Sequence, residues 1–441
     1  MPHSVQSAVG SSRGNCHQQT PHARGFCIKR HYDTEQFQHF RGAFRMNAPI
    51  RPPQFHTAGP AWSDPDAPQL PVHSYFDAAL HAREMELIFR NGPRYVGHAL
   101  SVPETGNYYA LPQEGEGRAL LRSANGLELV SNVCRHRQAV MLKGRGSLGG
   151  NQGIGQSPII CPLHRWTYSS GAQSAPGQAP QPAGQLLGAP HFPQSPCLDL
   201  PNYPLREWNG LLFEDNGVDV ASQLRNLGPR AALDFDGFVF DRVEMHECKY
   251  NWKTFIEVYL EDYHVGPFHP GLGHFVTCDD LRWEFNANYS VQTVGAAQLN
   301  GRAGSAAYQR WQQALMQYRN GKAPEFGAIW LTYYPHIMIE WYPHVLTVST
   351  LHPMGPNRTL NMVEFYYPEE IAAFEREFVE AQQAAYMETC IEDDEIGERM
   401  DAGRAALYQR GDNQTGPYQS PMEDGMRHFH QWYRRTMGSA L

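Results

Sequence analysis

The sequence predicts an α+β protein in two folded parts: a small all-β domain, then a larger domain in which helices cover an antiparallel sheet. Three observations carry this. Residues 95–216 run as short alternating segments (RYVGHAL, ALLRSANGLELVSNV, GLLFEDN) cut by Gly and Pro, the texture of a small sheet. Residues 328–367 (AIWLTYYPHIMIEWYPHVLTVSTLHPMG, then TLNMVEFYYP) read as three or four long antiparallel strands. Pro368 then opens a long helical stretch on which Phe374, Phe378, Ala381 and Ala385 keep one side apolar.

The remaining segments come in order. Residues 1–65 are rich in Ser, Gln, His, Arg and Pro without a period, so a disordered arm is expected, with Met46 as an alternative start. Residues 66–216 form the small domain, entered by an amphipathic helix in SYFDAALHAREMELIFRNGP. Its apolar side carries Phe76, Leu80, Met85, Leu87, Ile88 and Phe89, and Asn91-Gly92-Pro93 stops it. The Pro- and Gln-rich residues 174–204 read as an excursion on that domain, and residues 217–441 as the larger domain. With 36 Lys and Arg against 45 Asp and Glu, the formal charge is −9; without a basic block, nucleic acid is excluded as a partner class. No apolar run reaches the roughly 18 residues of a membrane helix, and the N-terminus lacks a secretory pattern. Eight cysteines scattered over 441 residues suit free thiols or metal ligands better than disulfides, and a soluble cytoplasmic protein is expected.

Two constellations carry chemistry. NVCRHR and CPLHRWTY place Cys134 with His136 and Cys161 with His164, each pair in a tight loop after an apolar run. Two thiolates and two imidazoles can hold a tetrahedral zinc, or a [2Fe–2S] cluster with the cysteines on one iron and the histidines on the other. Further on, NWKTFIEVYLEDYHVGPFHPGL carries Glu261, His264 and His269. A helix over residues 251–263 sets Glu261 and His264 on one face, while Gly266, Pro267 and Pro270 break it so that His269 folds back toward His264. Two convergent histidines need one carboxylate to complete a facial triad. The run IEDDEIGERMDAG offers Glu392, Asp393, Asp394 and Glu395, which alone would read as a solvated acidic turn.

Taken together, the two constellations resemble the α (terminal oxygenase) subunits of Rieske non-haem iron oxygenases, over residues 74–441. The first loops match N-x-C-x-H-R and C-P-x-H-x-W-x-Y-x-x-x-G. They depart from it in carrying Gln138 and Arg165 where the family usually has Gly, and a longer glycine-rich segment between them. The resemblance implies a [2Fe–2S] cluster on Cys134, His136, Cys161 and His164, shielded by Trp166 and Tyr168. It implies a helix-grip catalytic domain with a mononuclear Fe(II) on His264, His269 and Asp393; Asp393 rests on counting back from Gly403, with Asp394 next in line. Glu261 takes the place of the family's carboxylate that bridges a cluster histidine, His164 by position, to an iron histidine, His264, of the next subunit. Glu257-Val258 stands where many relatives have Glu-Asn.

The implied activity is hydroxylation, dihydroxylation or demethylation of a small organic substrate with O2. Electrons come from a reductase, directly or through a ferredoxin, and the oligomer is a trimer. An aromatic compound or acid is the preferred substrate, in a pocket built from Trp330, Tyr333, Met338, Ile339, Trp341, Phe268 and Phe275. A quaternary ammonium compound of choline or carnitine type is the alternative, since Glu261 stands where ring-hydroxylating members have Asp. Two rival classes remain: a non-catalytic helix-grip binding protein with a structural zinc, and a zinc hydrolase.

Overall fold

The small domain is held together by three antiparallel sheets. A computed structural model describes residues 67–149, 157–171 and 181–441. The expected arm, the middle of the glycine-rich segment and residues 172–180 lie outside the described residues. One sheet has five strands, in the order Arg145–Ser147, Asn107–Ala110, Arg118–Ser123, Gly126–Ser131 and Asn202–Tyr203. A second joins Ile159–Ile160, Thr167–Ser170 and Ala183–Gly188. Between them Ala119, Leu121 and Val130 bury with Cys134, Cys161, Trp166 and Tyr168. The third sheet (Tyr95–His98, Leu211–Glu214, Leu205–Trp208) turns elsewhere: Tyr95, Trp208, Leu211 and Phe213 share a core with Ile329, Leu331 and Val348 of the large sheet.

That large sheet has seven antiparallel strands: β1 (Phe238–Cys248), β2 (Val276–Asn286), β3 (Tyr289–Ala296), β4 (Ala328–Tyr333), β5 (Ile337–Tyr342), β6 (Val345–Gly355) and β7 (Arg358–Pro368). They lie in the order β1-β7-β6-β5-β4-β3-β2, so the long-strand region of the sequence is four consecutive strands. Alternation sends Ile329, Leu331, Ile339 and Val348 to one face. The register aligns Gln292, Trp330, Glu340, Thr347 and Phe365 as one rung across the sheet, with Trp330 and Phe365 in the core beneath the long helix Arg376–Arg410. Burying each such Val, Leu, Ile or Phe contributes about 1.5–3 kcal/mol.

Five helices frame the second constellation: α1 (Ala78–Glu84), α2 (Trp252–Tyr259), α3 (Val265–Phe268), α4 (Arg376–Arg410) and α5 (Asp424–Met437). Helix α1 starts at Ala78 rather than Ser74 because Asp77 caps it, accepting from the Leu80 N–H at 2.8 Å; it continues as a π-helical turn over Met85–Arg90. Its apolar side packs on α2 and α5, through Leu80, Ile88, Trp252, Ile256 and Phe429. The expected helix over residues 251–263 ends at Tyr259. The Leu260 carbonyl and the Asp262 N–H are taken by Met426 N–H (3.1 Å) and the Met422 carbonyl (3.2 Å), so the helix cannot continue. Helix α4 is separated from Glu369–Phe374 by a break at Glu375, which turns Phe374 out to 83% exposure; Phe378, Ala381 and Ala385 bury as expected. Among the described residues no helix is long and apolar enough to cross a membrane.

A buried ionic knot ties four of these segments. Glu257 on α2 receives Arg404 of α4 (2.5 Å), the Tyr75 hydroxyl and His430 of α5 (2.8 Å). Burial alone would raise the Glu257 carboxyl, but Arg404 and the two hydrogen bonds overcome it and hold it near 2, from an ordinary 4.5. Its contribution is therefore whole above about pH 4.5 and lost as pH falls toward 2. Apparent stability should decline through that window, and Glu257→Gln should flatten that part of the decline. Arg404→Met, which strands the buried carboxylate, should cost about 3–5 kcal/mol in urea unfolding.

Candidate active site

The two Cys-His loops are built alike. Cys134 N–H bonds the Ala139 carbonyl (2.9 Å) and Gln138 N–H returns to Cys134 (3.1 Å); Cys161 N–H bonds Trp166 (2.8 Å) and Arg165 N–H returns to Cys161 (3.1 Å). Each turn closes through a left-handed residue, Gln138 at φ 52° and Arg165 at φ 60°. These are the two positions where glycine was expected, and the backbone keeps the glycine conformation without the glycine. The loops bring Cys134 and Cys161, 1% and 2% exposed, side by side, and set the His136 and His164 rings 4.7 Å apart. Trp166 stacks on His136 (5.0 Å, 6°), and the Tyr168 hydroxyl lies 3.5 Å from Cys134 Sγ. Burial raises both thiols, yet at Cys134 the Tyr168 hydroxyl and backbone N–H groups reverse it and the pKa is lowered; Cys161 stays raised. His136 Nδ1 is buried without a hydrogen-bond partner, as an atom kept for a metal would be. The donor set fits a two-iron cluster with one all-cysteine and one all-histidine iron. His164 lies at the surface beside exposed Leu163 and Ile160. Arg165→Val, which places a β-branched residue at positive φ, should destabilise the domain by about 1–2 kcal/mol in urea unfolding, while Arg165→Gly should not.

The second centre forms where α2 has ended. The single turn α3 separates His264 from His269, and its C-terminal break at His269 turns the second imidazole back, so the two Nε2 atoms sit 3.0 Å apart. From α4, Asp393 Oδ1 reaches His269 Nε2 at 2.9 Å and His264 Nε2 at 3.4 Å. Ligands at right angles and about 2.1 Å from a shared centre would be about 3.0 Å apart, so the spacing suits one metal ion. Each outer nitrogen has its own carboxylate: Glu261 at His264 Nδ1 (2.5 Å) and Glu392 at His269 Nδ1 (2.8 Å). Burial depresses His264, but Asp393 and Glu261 override it and raise its pKa to about 10; Asp393 itself is lowered by the two imidazoles despite burial. Glu261 and His264 sit in a turn, not on a helix face, joined by a His264 N–H bond to Glu261 Oε2 (3.1 Å). Asp394 points elsewhere, to Tyr250 (3.0 Å) and His246 (2.8 Å) on and after β1, and Gly397 leaves room for the Tyr250 ring against α4. Helical rotation of about 100° per residue separates the neighbours, so the structure brings Asp393, and not Asp394, to the histidines. The role of Glu392 was not foreseen, since no spacing rule marks it.

A cavity of about 80 Å³ opens beside this centre. Gln382, Tyr386, Thr389, Cys390 and Asp393 form one stripe of α4 along it, and Tyr308, Trp311, Trp330 and Tyr342 wall it with aromatic rings. Of the seven expected pocket residues only Trp330 lines it. Tyr333 and Ile339 belong to the core on the sheet's other face, Trp341 packs against that core, and Met338 packs under Trp252 and Tyr334. Phe275 lies behind the wall, stacked on Trp311 (4.0 Å), and Phe268 packs edge-on to His269. Two acids unforeseen as lining complete the wall. Glu340 accepts from Tyr386 (3.0 Å) and Tyr342 (3.1 Å), and burial, only partly offset by those hydroxyls, raises its pKa to about 7. Asp262 accepts from Gln292 through one oxygen, while Oδ2 makes no hydrogen bond; Cys278, a weak S–H donor, lies beside it.

Comparison with known proteins adds the relatives. Residues 93–204 match the Rieske [2Fe-2S] domain and residues 230–439 the ring hydroxylating alpha subunit catalytic domain. The chain is 61% identical to a putrescine 2-hydroxylase of Ralstonia nicotianae, over 85% of this chain and 96% of the relative. It is 60% identical to one of Bordetella bronchiseptica, over 85% and 86%. Among solved structures, a quaternary ammonium Rieske monooxygenase in complex with L-carnitine superposes with a TM-score of 0.64 at 21% identity, over 84% of this chain and 96% of the other. The protein therefore belongs to the Rieske oxygenase α-subunit family, whose cofactors are a [2Fe–2S] Rieske cluster and a mononuclear iron.

Proposed function

We propose that this oxygenase hydroxylates an aliphatic diamine, putrescine or a near homologue, using a cluster held by Cys134, His136, Cys161 and His164 and an iron held by His264, His269 and Asp393. The carrying observation is the cavity wall, in which aromatic rings and two buried acids, Glu340 and Asp262, face the space beside His264, His269 and Asp393. The 60–61% identity to putrescine 2-hydroxylases supports the same reading. The aromatic substrate expected from the resemblance finds no support in these relatives. A quaternary ammonium substrate is the second reading, favoured by the aromatic wall, which suits a cation. Membership of the oxygenase family replaces the zinc-based alternatives.

When bound, the cluster passes electrons singly and the iron activates O2, so that C–H, O2, two electrons and two protons give C–OH and water. The chain's own groups do the positioning. Glu392 holds a proton on Nδ1 of His269 and Glu261 sits against Nδ1 of His264, which turns both Nε2 atoms inward. Tyr386, Tyr342 and the tryptophans exclude water and orient the substrate. Trp166 and Tyr168 cover and tune the cluster. Glu261 is also the bridge to the cluster of an adjoining subunit, in a trimer fed by a reductase directly or through a ferredoxin. Thiol ligands suit the reducing cytoplasm.

Reconstituted with iron and a reductase, the enzyme should convert putrescine to a hydroxylated diamine, read by mass spectrometry; turnover of carnitine or benzoate in its place would reject the diamine. His269→Ala should lower bound iron from about three to about two per chain while the cluster's spectrum persists. Glu261→Gln should keep both metals and slow single-turnover reoxidation of the cluster.

A further inference from the structure

We infer that Glu340 and Asp262 are the two ends of a diammonium clamp, each binding one terminal ammonium of the substrate. The inference rests on the diamine reading and adds to it the residues that choose a diamine over a monoamine and that set its direction.

Glu340 is 1% exposed and lines the cavity. The hydrogen bonds to its carboxyl come from the hydroxyls of Tyr386 and Tyr342, and no Lys, Arg or His among the described residues is ion-paired with it. The Trp330 indole donates to the Tyr342 hydroxyl (3.0 Å), which donates to Glu340 (3.1 Å), and Tyr386 donates from the other side (3.0 Å). Every donor points at the carboxylate, an arrangement that favours its charged form, yet no cation compensates it. Other buried acids differ. Glu84 has Lys253 (2.6 Å) and Glu257 has Arg404 (2.5 Å). Glu364, raised like Glu340, accepts from the Tyr95 hydroxyl and does not line this cavity. Asp262, 3% exposed, lines the same cavity with Oδ2 free of hydrogen bonds. An ammonium brings Glu340 the missing charge and Asp262 Oδ2 the missing donor.

The spacing suits one molecule. Gln292, which holds Asp262, and Glu340 stand two strands apart on one rung, with Trp330 between them. That is about 10 Å at 4.8 Å per strand. Nitrogens five bonds apart span about 6 Å extended. A charge-assisted hydrogen bond of about 2.8 Å at each end makes about 12 Å, a reach comparable with the strand separation of Gln292 and Glu340. Direction comes from position. Asp262 is two residues from His264, whereas Tyr386, the donor to Glu340, precedes Asp393 by seven residues on α4, about 10 Å along its axis. The carbons nearest the triad are thus those next to the Asp262-held nitrogen, and the Glu340-held end is remote. A monoamine satisfies one carboxylate and leaves the other.

Anaerobic calorimetry on the iron-loaded enzyme tests this with putrescine, butylamine, 1,3-diaminopropane and cadaverine. Wild type should bind putrescine about tenfold or more tighter than butylamine, with the four-carbon diamine the tightest of the series. Glu340→Gln and Asp262→Asn should each weaken putrescine binding by about tenfold to a hundredfold, the range for losing one charge-assisted hydrogen bond, and bring it level with butylamine. Unchanged metal content and melting temperature accompany that result. Either variant binding putrescine within about threefold of wild type would overturn the clamp while leaving the diamine reading intact. A wild type that binds butylamine as tightly as putrescine overturns the clamp without any variant. Failure of wild type to bind any diamine, with carnitine or an arene bound instead, sinks the diamine reading itself.

Discussion

The geometry of the catalytic part depends on one buried charge pair, Glu257 with Arg404. Glu257 lies on the helix that leads into His264 and His269; Arg404 lies on the helix that carries Asp393. Neither side chain is tolerable there without the other, and Tyr75 and His430 complete the carboxylate's shell from two further segments. The guanidinium also lies 4.0 Å over the Tyr75 ring. The pair need not outweigh an apolar filler of the same shape. Its mutual dependence sets the register of the elements that carry His264, His269 and Asp393 against each other.

Within that frame, the acidic run on α4 is divided by helical rotation. Glu392 serves the outer face of His269, Asp393 meets both inner nitrogens, and Asp394 turns to Tyr250 and His246. Three successive carboxylates thus meet three different sets of atoms, two of them on opposite nitrogens of His269. The strand side shows the same economy. Along β5, alternate residues serve opposite faces: Glu340 and Tyr342 join the cavity, and Ile339 enters the core behind the sheet.

Much of this was legible in the residues. The Cys-His loops announce themselves because metal ligation fixes both residue type and spacing, and the four long strands because their apolar runs exceed what loops carry. The fold class and the pairing of His264 with His269 come from those signals and from the Gly-Pro break between them. Helix ends were less legible. The stop at Tyr259 is imposed by Met422 and Met426, some 160 residues away, and no local signal encodes it. Phe374 looked apolar and inward, but the break at Glu375 turns it out. The cavity was the least legible part. Glu340 within IMIEWY reads as an ordinary outward polar residue, and its burial appears only when α4 covers that rung. Which aromatic lines the space is a matter of strand parity and of helices that the strand sequence does not contain.

The shared stripe on α4 has an evolutionary consequence. Tyr386 and Asp393 sit on one helix, two turns apart, so an insertion or deletion between them re-forms the stripe only in whole turns, about 5.4 Å each. The facing sheet offers steps of about 4.8 Å from strand to strand. Neither step is close to the roughly 1.25 Å by which one methylene lengthens a chain. Descendants of this scaffold that favour a longer or shorter molecule would therefore diverge by exchanging side chains at the far wall, leaving the helix and Asp393 untouched.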